Sequence, residues 1–196
     1  MSSPFAKVRI LDTPGLADTR GLQQDEIHQK SIATQIKNHI DSVNAVLILA
    51  NGTVPRITVG TDYALSTLSA IFPKTLAENI AFVFTNVSSR LSWNFSQDTV
   101  PEVLKNAPQY LLDNPIALQK KYLELKNDQD KKVRNKLHKA VKAKEQGALE
   151  TLVDLFDWLD GLTPQPTTAI VTLYEKSQSK NTKTLGETDQ AVANIK

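Results

Sequence analysis

The chain has 196 residues, 40% hydrophobic and 22% charged, with a formal net charge of +2 and no cysteine. That composition suits one folded domain with appendages and excludes collagenous, disordered and disulfide-stapled classes, together with thiolate zinc sites and a cysteine nucleophile. No apolar run approaches the roughly 18 to 20 residues of a membrane helix, and the first five residues lack a signal-peptide layout, so the expected location is cytoplasmic.

Residues 5–11 alternate apolar with basic side chains, the period of a strand solvated on one side, and run into Asp12-Thr13-Pro14-Gly15, a tight turn. From Asp25 to about Asp41, Ile27, Ile32, Ile36 and Ile40 recur at helical spacing. Val43 to Ala50 is a continuous apolar run closed by Asn51-Gly52, which predicts a strand buried on both faces of a parallel sheet. Thr61 is placed to cap a helix carrying Ala64, Leu65, Leu68, Ile71 and Phe72 on one face before Pro73 ends it. Residues 80–84, Ile-Ala-Phe-Val-Phe, form the next strand and stop at Thr85-Asn86. Strands alternating with helices at this spacing predict an α/β fold, because parallel neighbours need a crossover that is usually helical.

Pro101, Pro108 and Pro115 leave room only for short helical pieces between 91 and 115. Residues 116–126 and about 131–161 then read as helices, the second with an apolar stripe of Leu149, Leu152, Val153, Phe156 and Leu159 and a polar face holding Asp154, Asp157 and Asp160. Thr168 to Tyr174 reads as a last strand or the start of a final helix, and the polar tail from Ser177 is expected to be mobile. The expected organisation is a partial α/β domain over 5–90, a helical remainder and extension over 91–176, and a tail over 177–196.

Asp12-Thr13-Pro14-Gly15 puts a carboxylate at the carboxyl end of a strand and a glycine three residues on. Ligands of open α/β sheets bind at such ends. In a phosphate-sensing role Asp12 holds Mg²⁺ through a water, and the Gly15 N–H approaches a terminal phosphate where a Cβ would obstruct it. The competing reading is a plain turn, since Asp, Pro and Gly are turn formers.

With its surroundings, Ile10-Leu11-Asp12-Thr13-Pro14-Gly15-Leu16 followed by a loop, a helix, the strand over 43–50, a helix and the strand ending in Thr85-Asn86, the sequence resembles the G domains of the P-loop GTPases. It is most similar to the septin-like and immunity-associated branch, over about residues 6–90. The resemblance implies a three-layer P-loop NTPase-like, mostly parallel sheet with a C-terminal helical extension. It implies GTP or GDP and Mg²⁺ as ligands, Asp12 as the magnesium residue, Gly15 as γ-phosphate sensor with Thr13 and Leu16 beside it, and residues 16–24 as a switch. Thr85-Asn86-Val87-Ser88 stands where the family reads guanine, placing Thr85 and Asn86 near the base, but Ser88 occupies the position of the base-reading Asp.

Two further departures matter. Leu16 replaces the glutamine that orients the attacking water in many small GTPases, so any hydrolysis is expected to be slow. No Gly-x-x-x-x-Gly-Lys-Ser/Thr phosphate loop occurs in the 196 residues, although the family's sheet places the strand before that loop between the strand ending at Leu11 and the one over 43–50. The expectation is therefore an amino-terminally truncated G domain, Met1 being internal or a misassigned start. The functional expectation is a guanine-nucleotide-binding switch domain, the complete protein binding GTP with Mg²⁺. The alternative is a degenerate G domain that binds a protein partner or itself.

Residues 119–146 hold ten Lys or Arg against four Asp or Glu. Interleaved with Glu124, Asp128, Asp130 and Glu145, and with Tyr122 as their one aromatic, they read as a solvated helix face. Nucleic acid is not an expected partner, whereas contact with a protein or a membrane surface stays open. His28 and His39 read as surface or half-buried residues, and Trp93 and Trp158 as packing.

Overall fold

The computed structural model describes residues 8–13, 22–55, 74–127, 130–169, 171–172 and 175–176. Helix α1 (Leu22–His39) turns Ala33 and Ile36 into the protein and leaves Ile27 exposed. A two-residue strand β1 (Ser42–Val43) precedes β2 (Val46–Asn51), and β3 (Ile80–Thr85) and β4 (Gln109–Leu112) follow. The last three form one parallel sheet in the order β2-β3-β4. Asn51 pairs with Thr85 and Thr85 with Leu112, so the carboxyl ends of all three strands lie along one edge.

The core follows from the apolar run of β3. Residues 80–84 are buried without alternation, as expected for a central parallel strand covered on both faces. Phe82 stacks on Phe84, which is also packed against Trp93 and Phe95, and Val87, Val100 and Leu104 complete the cluster. Each such side chain contributes roughly 1.5 to 3 kcal/mol by leaving water. Trp158 packs against Tyr110, so both tryptophans serve packing.

Helix α2 (Pro115–Leu125) starts with Asn114 as its cap, whose Oδ1 accepts from Ala117 N at 3.0 Å, and with Pro115 in the first turn. Helix α3 (Lys131–Asp160) is capped by Asp130, whose Oδ1 accepts from Lys132 N and Val133 N at 2.7 and 2.9 Å. It docks on α2 and β4, with Ala148 and Leu155 buried and Thr151 Oγ1 donating to Leu111 O at 3.2 Å. Beyond it β5 (Gln165–Pro166) pairs antiparallel with β1, and the described residues from 168 to 176 are helical, the second of the two expected alternatives.

Four expectations are corrected. Residues 8–13 form no strand: no described neighbour pairs with them, and unpaired backbone groups there go to solvent, with Val8 and Ile10 exposed. β2 is an edge strand among the described residues and alternates in burial, leaving Leu49 68% exposed rather than buried on both faces. β4 stands between Pro108 and Pro115, where only short helical pieces are expected, because pairing with β3 holds it extended. The expected stripe of α3 is split, since Leu155 faces inward while Leu149, Val153 and Phe156 are exposed. The helix expected after Thr61 and the tail over 177–196 lie outside the described residues.

Candidate functional site

The aligned ends of β2, β3 and β4 gather polar side chains, in the place where open parallel sheets bind ligands. Asn51 ends β2, and its Oδ1 accepts from Thr53 N at 3.1 Å and Thr53 Oγ1 at 2.8 Å, so the side chain is held by the turn it starts. Asn86 follows β3 with φ of 64°, a left-handed conformation that asparagine tolerates better than most side chains. That twist sends Val87 back into the core while Asn86 and Ser88 stay exposed. Asn86 Nδ2 donates to Asn51 Oδ1 at 3.4 Å, and Thr85 Oγ1 donates to Ala50 O at 3.3 Å.

The third strand adds charge. Asp113 follows β4, its Oδ1 accepting from Asn114 N at 2.9 Å and its Oδ2 from Lys144 Nζ at 3.2 Å. Lys144, in the middle of α3, also donates to Ser88 Oγ. One ammonium group thus ties the loop after β3 to the end of β4. Each Asp113 oxygen keeps a second acceptor direction, and Lys144 a further N–H. Amides, hydroxyls, one carboxylate and one ammonium form a set suited to recognising a heteroaromatic edge by hydrogen bonds.

Thr85 and Asn86, named from sequence, are therefore brought together, with Asn51, Asp113 and Lys144 beside them. Sequence reasoning missed those three. A signal existed for one of them: Asp113 precedes Asn114-Pro115, a helix cap and a first-turn proline, and so marks a strand end.

Asp12 and Thr13 are exposed on the segment 8–13, which lies against the end of α1. Arg9 Nη1 donates to His39 O at 3.0 Å, and Arg9, Ile10 and Leu11 line a groove of about 420 Å³ with Asn38, His39 and Ile40. No hydrogen bond among the described residues joins Asp12 or Thr13 to Thr85 or Asn86, and neither Thr85 nor Asn86 lines the groove beside Arg9. Gly15 and Leu16 lie outside the described residues. A lone exposed carboxylate is compatible with Mg²⁺, which commonly takes one or two carboxylates and fills its shell with phosphate oxygens and water.

The Tyr110 phenol on β4 is pushed above its ordinary value, first by burial and then by the negative charge of Asp154. Lys105 is raised by its hydrogen bond and ion pair with Glu102.

A parallel three-stranded sheet with helices, polar side chains at its carboxyl edge and a C-terminal helix constitutes an incomplete α/β P-loop-like fold. The family model that matches is that of the AIG1 family, over residues 4–156. That span covers most of the chain, which therefore belongs to the AIG1 family, the immunity-associated GTPase G domains within the P-loop GTPases. No curated protein and no solved structure matches significantly. Among the described residues, no helix is long and apolar enough to cross a membrane.

Proposed function

We propose that the chain serves a GTPase-type switch protein as its guanine-nucleotide-binding domain, with the base read at the strand-end cluster. The observation that carries this reading is Asp113, held beside Ser88 by Lys144. Guanine presents two N–H donors and one carbonyl acceptor on the same edge. A carboxylate accepts from both donors, and a neighbouring ammonium group donates to the carbonyl. Adenine reverses two of those positions and carries only a C–H at the third, and each polar group left unpaired costs about 1 to 3 kcal/mol. Asp113 thereby supplies the carboxylate that position 88 lacks, with Thr85, Asn86 and Asn51 along its flank.

The phosphates are assigned to the other end of the matched sequence. Asp12 would hold Mg²⁺, with Thr13, Gly15 and Leu16 beside the terminal phosphate. When bound, the cation offsets phosphate charge. Leu16 carries no group that orients water, so turnover in the absence of a partner is expected to be low.

Titration of the full-length protein with fluorescent GDP, competed by GDP, ADP or xanthosine diphosphate, tests the reading. The expected result is competition by GDP and not by ADP, with Asp113→Asn reversing preference from GDP to the xanthine nucleotide, whose C2 carbonyl accepts from an amide. Equal competition by ADP, or no binding, would contradict guanine recognition. Unchanged GDP preference in Asp113→Asn would remove Asp113 from the site while leaving the nucleotide reading intact.

A further inference from the structure

Helix α3 separates its charges into two blocks. Residues 131–144 contain seven Lys or Arg and no acid, whereas residues 145–160 contain five Asp or Glu and no base. The order opposes the helix macrodipole, which favours acids in the first turn and bases in the last. It also sets like charges three and four residues apart, Lys132, Lys136 and Lys139 in one block and Asp154, Asp157 and Asp160 in the other, which destabilises an isolated helix. Within α3 an opposite-charge contact, Lys142 to Glu145 at 2.8 Å, forms where the blocks meet. Helix stability therefore gives no account of the pattern.

The outward face has a second property. Leu149, Val153 and Phe156, at steps of four and three, are 59%, 59% and 45% exposed, although the inward face of the same helix buries Ala148 and Leu155. Ile116 of α2 extends this apolar surface across a groove of about 270 Å³ that Leu149 also lines. Followed towards the start of α3, the face of Leu149 carries Lys142, Lys139, His138 and Lys131 instead of apolar residues.

We infer that α3 is a self-association surface, pairing antiparallel with α3 of a second copy. A two-fold axis near Gln146 sets the acidic, apolar half of each helix over the basic half of the other. Glu150 then lies within a turn of the partner's Lys142, Val153 of the partner's Lys139, Phe156 of the partner's Lys136 and Asp160 of the partner's Lys132. Each aliphatic lysine stem covers an apolar side chain while its ammonium group meets a carboxylate. The interface is isologous, so every such contact occurs twice. A second copy is the occupant because the charge sequence of α3 is complementary to its own reverse. A single pair of half-exposed helix faces makes a small interface, so the dimer is weak and falls apart as salt screens the charges.

Sedimentation velocity of the full-length protein, without nucleotide and at rising micromolar concentration, tests this. The expected result is a reversible monomer–dimer equilibrium that shifts to monomer in high salt. The triple variants Asp154→Lys/Asp157→Lys/Asp160→Lys and Lys132→Glu/Lys136→Glu/Lys139→Glu change exposed positions only, and circular dichroism checks their folding. Each variant alone is expected to be monomeric, and their equimolar mixture to dimerise. A wild-type protein that stays monomeric, a dimer that both variants retain, or folded variants that fail to associate when mixed would overturn the proposal. So would a monomer that instead co-sediments with phosphatidylserine vesicles and loses that binding in the lysine variant, which would assign the surface to a membrane.

Discussion

A Cβ built on Gly52 would lie 2.4 Å from Val87 Cγ2, closer than real Cβ contacts allow. The turn after β2 and the buried anchor after β3 fit together because residue 52 has no side chain. The same glycine donates its N–H to Thr85 O at 2.9 Å and accepts from Asn94 N at 3.1 Å, so it has little freedom to retreat. Gly52→Ala is expected to cost about 1 to 3 kcal/mol through overpacking. Urea denaturation checks this, and an unchanged midpoint would contradict the packing described.

Phe84 is fully buried among Phe82, Trp93 and Phe95 near the carboxyl end of β3, the central strand of the sheet. Its replacement by alanine leaves a cavity that the surrounding rings cannot fill, and a loss of about 3 to 5 kcal/mol is expected. The same substitution at Phe156, which is exposed on α3, is expected to change monomer stability by much less. Thermal unfolding of the two variants side by side gives the comparison.

The Lys144 to Asp113 pair is part-buried, the lysine side chain 42% and the aspartate side chain 19% exposed, so its worth to the fold is on the order of 1 kcal/mol. Its worth to ligand recognition is expected to be larger, because a bound base would exclude water from both groups. Lys144→Met should leave the unfolding midpoint nearly unchanged and weaken GDP binding roughly tenfold or more. A stability loss without an effect on binding would make the pair a structural one.

Tyr110 gives the fold a pH dependence of definite sign. Its phenol is held neutral in the folded state above the ordinary value, chiefly by burial and then by Asp154. The folded chain therefore keeps that proton more tightly than the unfolded chain. The associated stability is present below the unfolded tyrosine pKa of about 10 and is lost as pH rises through the folded value. Unfolding midpoints measured from neutral to alkaline pH should fall more steeply for the wild type than for Tyr110→Phe, and identical slopes would contradict the assignment.

Elements governed by local pattern were legible in the sequence. The helical spacing of Ile32 and Ile36, the apolar run of β3 and the helical pattern over about 131–161 each carry their signal within a few residues. β4 was not legible, because four residues between Pro108 and Pro115 gain strand character only by pairing with β3. The segment 8–13 failed in the opposite sense, since its alternating pattern demands a strand neighbour that the described residues do not provide. Thr85 and Asn86 were found at a strand end by motif. Lys144 could not be, because what places it beside Ser88 is the packing of a helix 56 residues later in the chain.

The ends of β2, β3 and β4 are proposed to read a guanine base. The most direct measurement is the nuclear magnetic resonance spectrum of the full-length protein during titration with GDP and, separately, ADP, following the side-chain amides of Asn51, Asn86 and Asn114 and the backbone amides of Ser88 and Asp113. GDP is expected to shift these signals together and saturably, and ADP to leave them in place. Equal shifts with both nucleotides, or GDP-dependent shifts that leave all five positions untouched, would contradict that reading.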